Sequence, residues 1–198
     1  MIVHIDDWFD IHNGFDLNLK PGYIPLIGPN GAGKSTLLRQ LEEAFADNKD
    51  FKIFSYNNYF EGGCYARQNQ LQERGNIPLL AQLATSSEGE QIAINFGQGC
   101  KRLGQIVAEC KSEGKKLLVL IDAIDSGASI DRLKDYISLF DMVTNDCKKS
   151  GLDCYILVSV NSYELVKDRV CKDVRTGKDV TFESYEDYSN YICSYFQH

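Results

Sequence analysis

Two long apolar runs dominate the hydropathy pattern, Lys116 to Ile121 (KLLVLI) and Cys154 to Val160 (CYILVSV). Nearly continuous apolar character without alternation marks strands covered on both faces, as in the middle of a parallel sheet. Shorter apolar segments at Tyr23 to Ile27 and at residues 51–56 (FKIFSY) predict two further strands, the first running straight into glycines. Between them, residues 34–46 (KSTLLRQLEEAFA) set Leu37, Leu38, Leu41 and Phe45 on one helical stripe. A second helical period runs from Glu90 to Cys110 through Ala93, Phe96, Cys100, Leu103, Val107 and Cys110. Gly97, Gly99 and Gly104 interrupt it at a cost of roughly 1 kcal/mol each, and close packing is the one reason for them that the sequence offers. A third helix is predicted after the first long run, with Ile130, Leu133, Ile137 and Phe140 on its buried face.

The flanks have a different texture. Residues 2–27 alternate short apolar stretches with the turn signals Asn13-Gly14 and Pro21-Gly22, which reads as two or three strands joined by tight turns. The segment from Asn57 to Thr85 is polar, contains Gly62-Gly63, and reads as loops with one or two short helices. A hairpin around Thr176-Gly177 (Lys172 to Phe182) and a tyrosine-rich helix from Glu186 close the chain. Strands alternating with helices predict an α/β fold: one mainly parallel sheet with helices on both faces, and a small antiparallel N-terminal sheet. At 198 residues the chain is read as a single domain over 1–198.

Composition narrows the setting. Apolar residues make up 43% and charged residues 25%, the balance of a globular protein. The net charge of −7 disfavours a broad phosphate-binding face for DNA or anionic lipid. Seven cysteines form no CxxC pair and no cluster of zinc spacing, and several occupy apolar periodic positions, which points to a reducing cytoplasm. The N-terminus lacks the regions of a signal peptide and no apolar run approaches the roughly 18 residues of a span, so export and membrane insertion are not expected.

The chemistry concentrates at Gly28-Pro29-Asn30-Gly31-Ala32-Gly33-Lys34-Ser35-Thr36, which matches G-x-x-x-x-G-K-[ST] between a predicted strand and a predicted helix. Glycines allow successive backbone N–H groups to curl around phosphate oxygens, and the helix N-terminus adds donors and a favourable dipole. Asn30, Gly31, Ala32, Gly33, Lys34, Ser35 and Thr36 are therefore the candidate cradle, with Lys34 on the β/γ-phosphates and Ser35 on Mg2+. The implied ligand is ATP with Mg2+. Asp122 ends the first long apolar strand, is expected beside the P-loop strand, and is the second candidate metal ligand.

The order GPNGAGKST, then SSEGEQ at Ser86 to Gln91, then LLVLID followed by AIDSG, resembles the nucleotide-binding domain of ABC ATPases. It is similar to the SMC, double-strand-break repair and overcoming-lysogenization branches more than to transporters, and such stand-alone heads occur in bacteria, phages and prophages. The resemblance spans roughly Tyr23 to Glu164, and the P-loop is its one specific motif. It implies a signature loop at Ser87, Gly89 and Glu90 that caps the γ-phosphate held by a second copy, in an ATP-dependent head-to-tail homodimer acting on a protein partner, DNA-processing among the options. Ser87 and Glu90 also form an ordinary capping box. The segment 57–90 then corresponds to a reduced helical subdomain ending in the signature.

Departures from that family matter for mechanism. Where the resemblance implies a catalytic Glu after Asp122, this chain has Ala123, and a methyl group accepts no proton. The position of the family's switch histidine corresponds to Asn161, which hydrogen-bonds but does not change charge near pH 7. Asp125 is either a substitute base or a loop carboxylate opening the DSG turn. Gln68 and Gln70 both suit the glutamine loop, and Trp8 or Phe9 is either an adenine-stacking residue or a core aromatic. The chain thus reads as a slow ATPase that drives a partner, or as an ATP-binding switch that does not hydrolyse. A P-loop kinase is the remote alternative, because Arg67, Arg74 and Arg102 form no lid cluster.

Overall fold

The computed structural model describes residues 1–7, 14–58, 78 and 88–195, with backbone alone over 88–93. Strands β1 (Ile2–Ile5) and β2 (Phe15–Asn18) pair antiparallel as a separate ribbon. Strand β3 (Gly22–Ile27) leads into helix α1 (Lys34–Phe45), followed by β4 (Phe51–Asn57). Next come α2 (Glu88–Glu113), β5 (Lys116–Asp122), α3 (Ile130–Lys149) and β6 (Cys154–Ser159). A 3-10 turn at Tyr163–Leu165 precedes β7 (Cys171–Asp173), β8 (Asp179–Val180) and α4 (Tyr185–Ser194).

Among the described residues six strands form one sheet in the order β4-β5-β6-β3-β7-β8, parallel except where β8 turns back on β7. The strand carrying Asp122 therefore does not lie beside the P-loop strand as expected, because β6 sits between β5 and β3. Chain order alone does not reveal this, since the α3 crossover is free to return on either side of β5.

Alternation along the central strands sorts their side chains between two cores. Leu117, Val119 and Ile121 of β5, with Ile156 and Val158 of β6, face one core shared with Leu103 and Val107 of α2 and Leu133 and Phe140 of α3. Leu118 and Leu120, with Tyr155 and Leu157, face the other, which holds Leu37, Leu41 and Phe45 of α1 and Val3, Ile5 and Leu17 of the ribbon. Helices cover both faces, as the unbroken apolar runs predicted. Each fully buried aliphatic side chain contributes about 1.5–3 kcal/mol.

Two sequence expectations need adjusting. Ile130 is 60% exposed although it shares the stripe of Leu133 and Phe140, because it opens α3 beyond the edge of the core. Of the three helix glycines, Gly99 has a packing reason: a Cβ there would lie 3.2 Å from Tyr56 Cδ2 on β4. Gly97 and Gly104 face open space, and nothing in the structure explains them. The reduced helical subdomain lies outside the described residues, apart from residues 57, 58, 78 and 88–90.

The turn after β7 is tied to α4 by Asp173, 3% exposed at the end of β7. Its Oδ1 accepts from Arg175 N (3.0 Å), Thr176 N (2.8 Å) and Thr176 Oγ1 (2.9 Å), and its Oδ2 accepts from the Tyr191 hydroxyl of α4. Asp173→Ala strands these donors, each at a cost of about 1–3 kcal/mol when buried. The expected loss is about 2–4 kcal/mol by urea denaturation. A loss below about 0.5 kcal/mol, the range of an ordinary surface change, would contradict this anchoring.

Candidate functional site

The turn from β3 into α1 is shaped by backbone that other residues resist. Gly33 is the N-cap of α1 at φ 95° and offers no side-chain cap, so the first-turn N–H groups face outward. A Cβ on Gly28 would lie 2.9 Å from Ala32 Cβ and 3.0 Å from Val174 Cγ2, so glycine is required where β7 presses on the loop. The first turn carries Lys34, Ser35 and Thr36 with no carboxylate, which leaves the dipole free to attract an anion.

Lys34 is 8% exposed, and its Nζ donates to Gly28 O (2.5 Å) and Pro29 O (3.1 Å). Burial lowers the pKa of this ammonium, and the charges of Asp125 and then Asp122 oppose that effect. Tied to two carbonyls among the described residues, this cation has neutral partners that it can exchange for phosphate oxygens.

Facing the loop, three neighbouring strands end in a polar row. Asn57 on β4 stands opposite Asp122 on β5, and Asp122 and Ser159 each follow by one residue the paired Ile121 and Val158 of β5 and β6. Alternation turns all three toward the α1 face, the side of Leu120 and Leu157. Asn57 Nδ2 donates to Asp122 Oδ2 at 3.0 Å, and the Ser159 hydroxyl donates to Asp122 Oδ1. Ser159 Oγ also accepts from Ala123 N at 2.8 Å. Asn57 and Ser159 were not singled out by sequence reasoning, since their role depends on strand order. Alternation counted back from Asp122 would have found Ser159 once β6 was placed beside β5.

Ala123 leaves the strand in the left-handed region at φ 55°, an arrangement that costs a non-glycine residue about 1 kcal/mol or more and that the Ser159 bond holds in place. Asp125 bridges two loops: its Oδ2 accepts from Asn161 N (2.5 Å) and Ser162 N (2.8 Å). Its Oδ1 is buried without a hydrogen-bond partner among the described residues. A cavity of about 280 Å3 is walled by Asn30, Gly31, Gly33, Lys34, Ser35 and Thr36 on one side, and by Asp122, Ala123, Ser159 and Asn161 on the other. The fold thus brings the P-loop, Asp122 and Asn161 to one cavity, while Ala32 is buried beneath it and Asp125 stands behind Asn161.

Ser87, Trp8, Phe9, Gln68 and Gln70 lie outside the described residues, as does the side chain of Glu90, while the backbone of Gly89 and Glu90 opens α2. Among the described residues no group of His, Cys, Asp and Glu has a metal-cluster arrangement, and no helix is long and apolar enough to cross a membrane. The described cysteines are free, and burial pushes the Cys110 and Cys171 thiols up to about 11 and about 12, which leaves them unreactive.

Comparison with known proteins agrees on the class. A stretch of 103 residues, 50% of the chain, is 32% identical to the ABC multidrug transporter MDR2 of Trichophyton interdigitale, and spans 7% of that protein. A shorter stretch of 55 residues is 42% identical to the ABC multidrug transporter mdr1 of Aspergillus fumigatus, covering 23% of this chain and 4% of that one. Among solved structures, Cdc6p from Pyrobaculum aerophilum is similar at a TM-score of 0.35 and 19% identity, over 70% of this chain and 32% of that one. The family model of the NACHT domain matches residues 23–196, from the P-loop strand through α4. The chain belongs to the NACHT domain family, and is a P-loop NTPase domain.

Proposed function

We propose that this domain binds ATP with Mg2+ in the cavity between the P-loop and Asp122, and hydrolyses it slowly. One observation carries the reading: the uncapped N-terminus of α1, Lys34, Ser35, Asp122 and Ser159 wall a single cavity of about 280 Å3. Ser35 and Asp122 would hold the Mg2+. Hydroxyl and carboxylate oxygens are its preferred donors, and each Asp122 oxygen keeps a lone pair after the bonds from Asn57 and Ser159. When bound, the ion neutralises phosphate charge. The α1 N–H groups bind phosphate oxygens, Lys34 exchanges two carbonyls for the β/γ-phosphates, and Asn161 faces the terminal phosphate.

Ala123 favours slow turnover, since it supplies no proton acceptor where its neighbour Asp122 meets the cavity. The same residue favours the second reading, a domain that binds ATP as a switch and does not hydrolyse it. We also propose the ABC-class arrangement, in which Ser87, Gly89 and Glu90 of one copy meet the γ-phosphate of another and the paired heads gate a protein partner. Its support is the S-x-G-E order, the position of Gly89 and Glu90 in the first turn of α2, and the half-chain resemblance to ABC multidrug transporters.

Lys34→Ala removes the one cation lining the cavity's described wall, so ATP affinity should fall by about 10- to 100-fold or more, as for a charge-assisted hydrogen bond. Titration with a fluorescent ATP analogue reads this, and unchanged affinity in a folded variant would refute the site. Ala123→Glu restores a base facing the cavity, and should raise single-turnover hydrolysis by roughly 10²–10⁴-fold. Asp125→Asn should abolish hydrolysis only if Asp125 serves as the base. A wild-type rate already at about 1–10³ s⁻¹, unmoved by either substitution, would contradict the weakened site.

A further inference from the structure

The backbone of Asn161 is fastened at both its N–H and its carbonyl. Its N–H donates to Asp125 Oδ2 at 2.5 Å, and its carbonyl accepts from the Tyr188 hydroxyl of α4 at 2.8 Å. Asp125 follows β5, Asn161 follows β6, and Tyr188 lies on α4, so three distant segments meet on the backbone of one residue. Tyr188 itself is fixed: it is 6% exposed, with Phe182 at 5.2 Å and Tyr163 at 5.9 Å between ring centroids. Burial first, and the Asp125 charge after it, raise its pKa, so the phenol remains a donor throughout the working pH range.

The clamp has something to restrain. A second cavity of about 390 Å3 lies beyond Asn161, walled by Pro29, Asn30, Tyr188 and Ile192, and it shares Pro29, Asn30 and Asn161 with the phosphate cavity. Asn161 is thus a partition between two spaces. Without the Tyr188 bond the Asn161 carbonyl loses its hydroxyl donor on that side, leaving the Asp125 bonds to Asn161 N and Ser162 N to hold the segment.

We propose that Tyr188 and Asp125 are positioning residues that hold Asn161 toward the terminal phosphate, so that the domain tells a nucleoside triphosphate from a diphosphate. This rests on the ATP reading given above. Ordering one residue's backbone costs conformational entropy. A peptide already clamped spares bound ATP that cost, whereas ADP, lacking the terminal phosphate, gains nothing from it.

The test is calorimetric titration of Mg-ATP and Mg-ADP into wild type, Tyr188→Phe, Asn161→Ala and the double variant. Wild type is expected to prefer ATP. Tyr188→Phe keeps the ring, and should weaken ATP by about 3- to 10-fold, the loss of one hydrogen bond, while leaving ADP within about twofold. In the Asn161→Ala background the same change should have no further effect on the ratio. Asp125→Asn keeps an acceptor oxygen and should preserve more of the ratio than Asp125→Ala. A ratio unmoved by Tyr188→Phe, an equal loss for both nucleotides, or an additive double variant would overturn the proposal while leaving the ATP site standing. Wild type that binds neither nucleotide would overturn both.

Discussion

The site depends on the hydrogen-bonded register of three parallel strands, β4, β5 and β6. Phe51 to Asn57 pair one-for-one with Lys116 to Asp122, and Leu117 to Ile121 pair with Cys154 to Val158. That register brings the polar ends of the strands to one level. Alternation then points Asn57, Asp122 and Ser159 toward α1 together. A slip of one residue would send Asp122 to the opposite face and bury a carboxylate among the apolar contacts of α2 and α3. The two cores oppose any slip, because it would also exchange every leucine and valine of β5 between them.

On this frame the chain carries local features that cost stability and serve the site. Ala123 sits in the left-handed region, Lys34 is buried, and α1 begins without a side-chain cap. With glycine at that position the absent side-chain cap costs only about a few tenths of a kcal/mol. Each cost is matched by a neighbour: Ser159 holds Ala123, two carbonyls hold Lys34, and the α1 N–H groups remain for an anion. The apo arrangement is therefore poised to exchange carbonyl partners for phosphate while its walls stay in place.

Much of the fold and the phosphate half of the site are legible in the sequence, because both rest on local pattern. The strands at 116–122 and 154–159, the amphipathic α1 and the P-loop are contiguous signals. What escaped is non-local. Ser159 and Asn57 matter only because β6 and β4 flank β5, and Tyr188 matters only because α4 returns to the end of β6. Ile130 belongs to the right stripe but lies past the edge of the core, a limit that periodicity does not carry. The P-loop motif fixes the chemical class and is shared across it. Within that class the NACHT model matches residues 23–196, and half of the chain is 32% identical to an ABC multidrug transporter.

The central claim is that a cavity preformed at the strand ends receives a triphosphate with little rearrangement. A crystal structure with Mg2+ and a non-hydrolysable ATP analogue tests it most directly. The account predicts the phosphates at the N-terminus of α1 and Lys34 Nζ moved from the carbonyls of Gly28 and Pro29 onto phosphate oxygens. Asp122 should still be held by Asn57 and Ser159. A nucleotide bound away from α1, or a polar row that must break apart to admit it, would contradict the account.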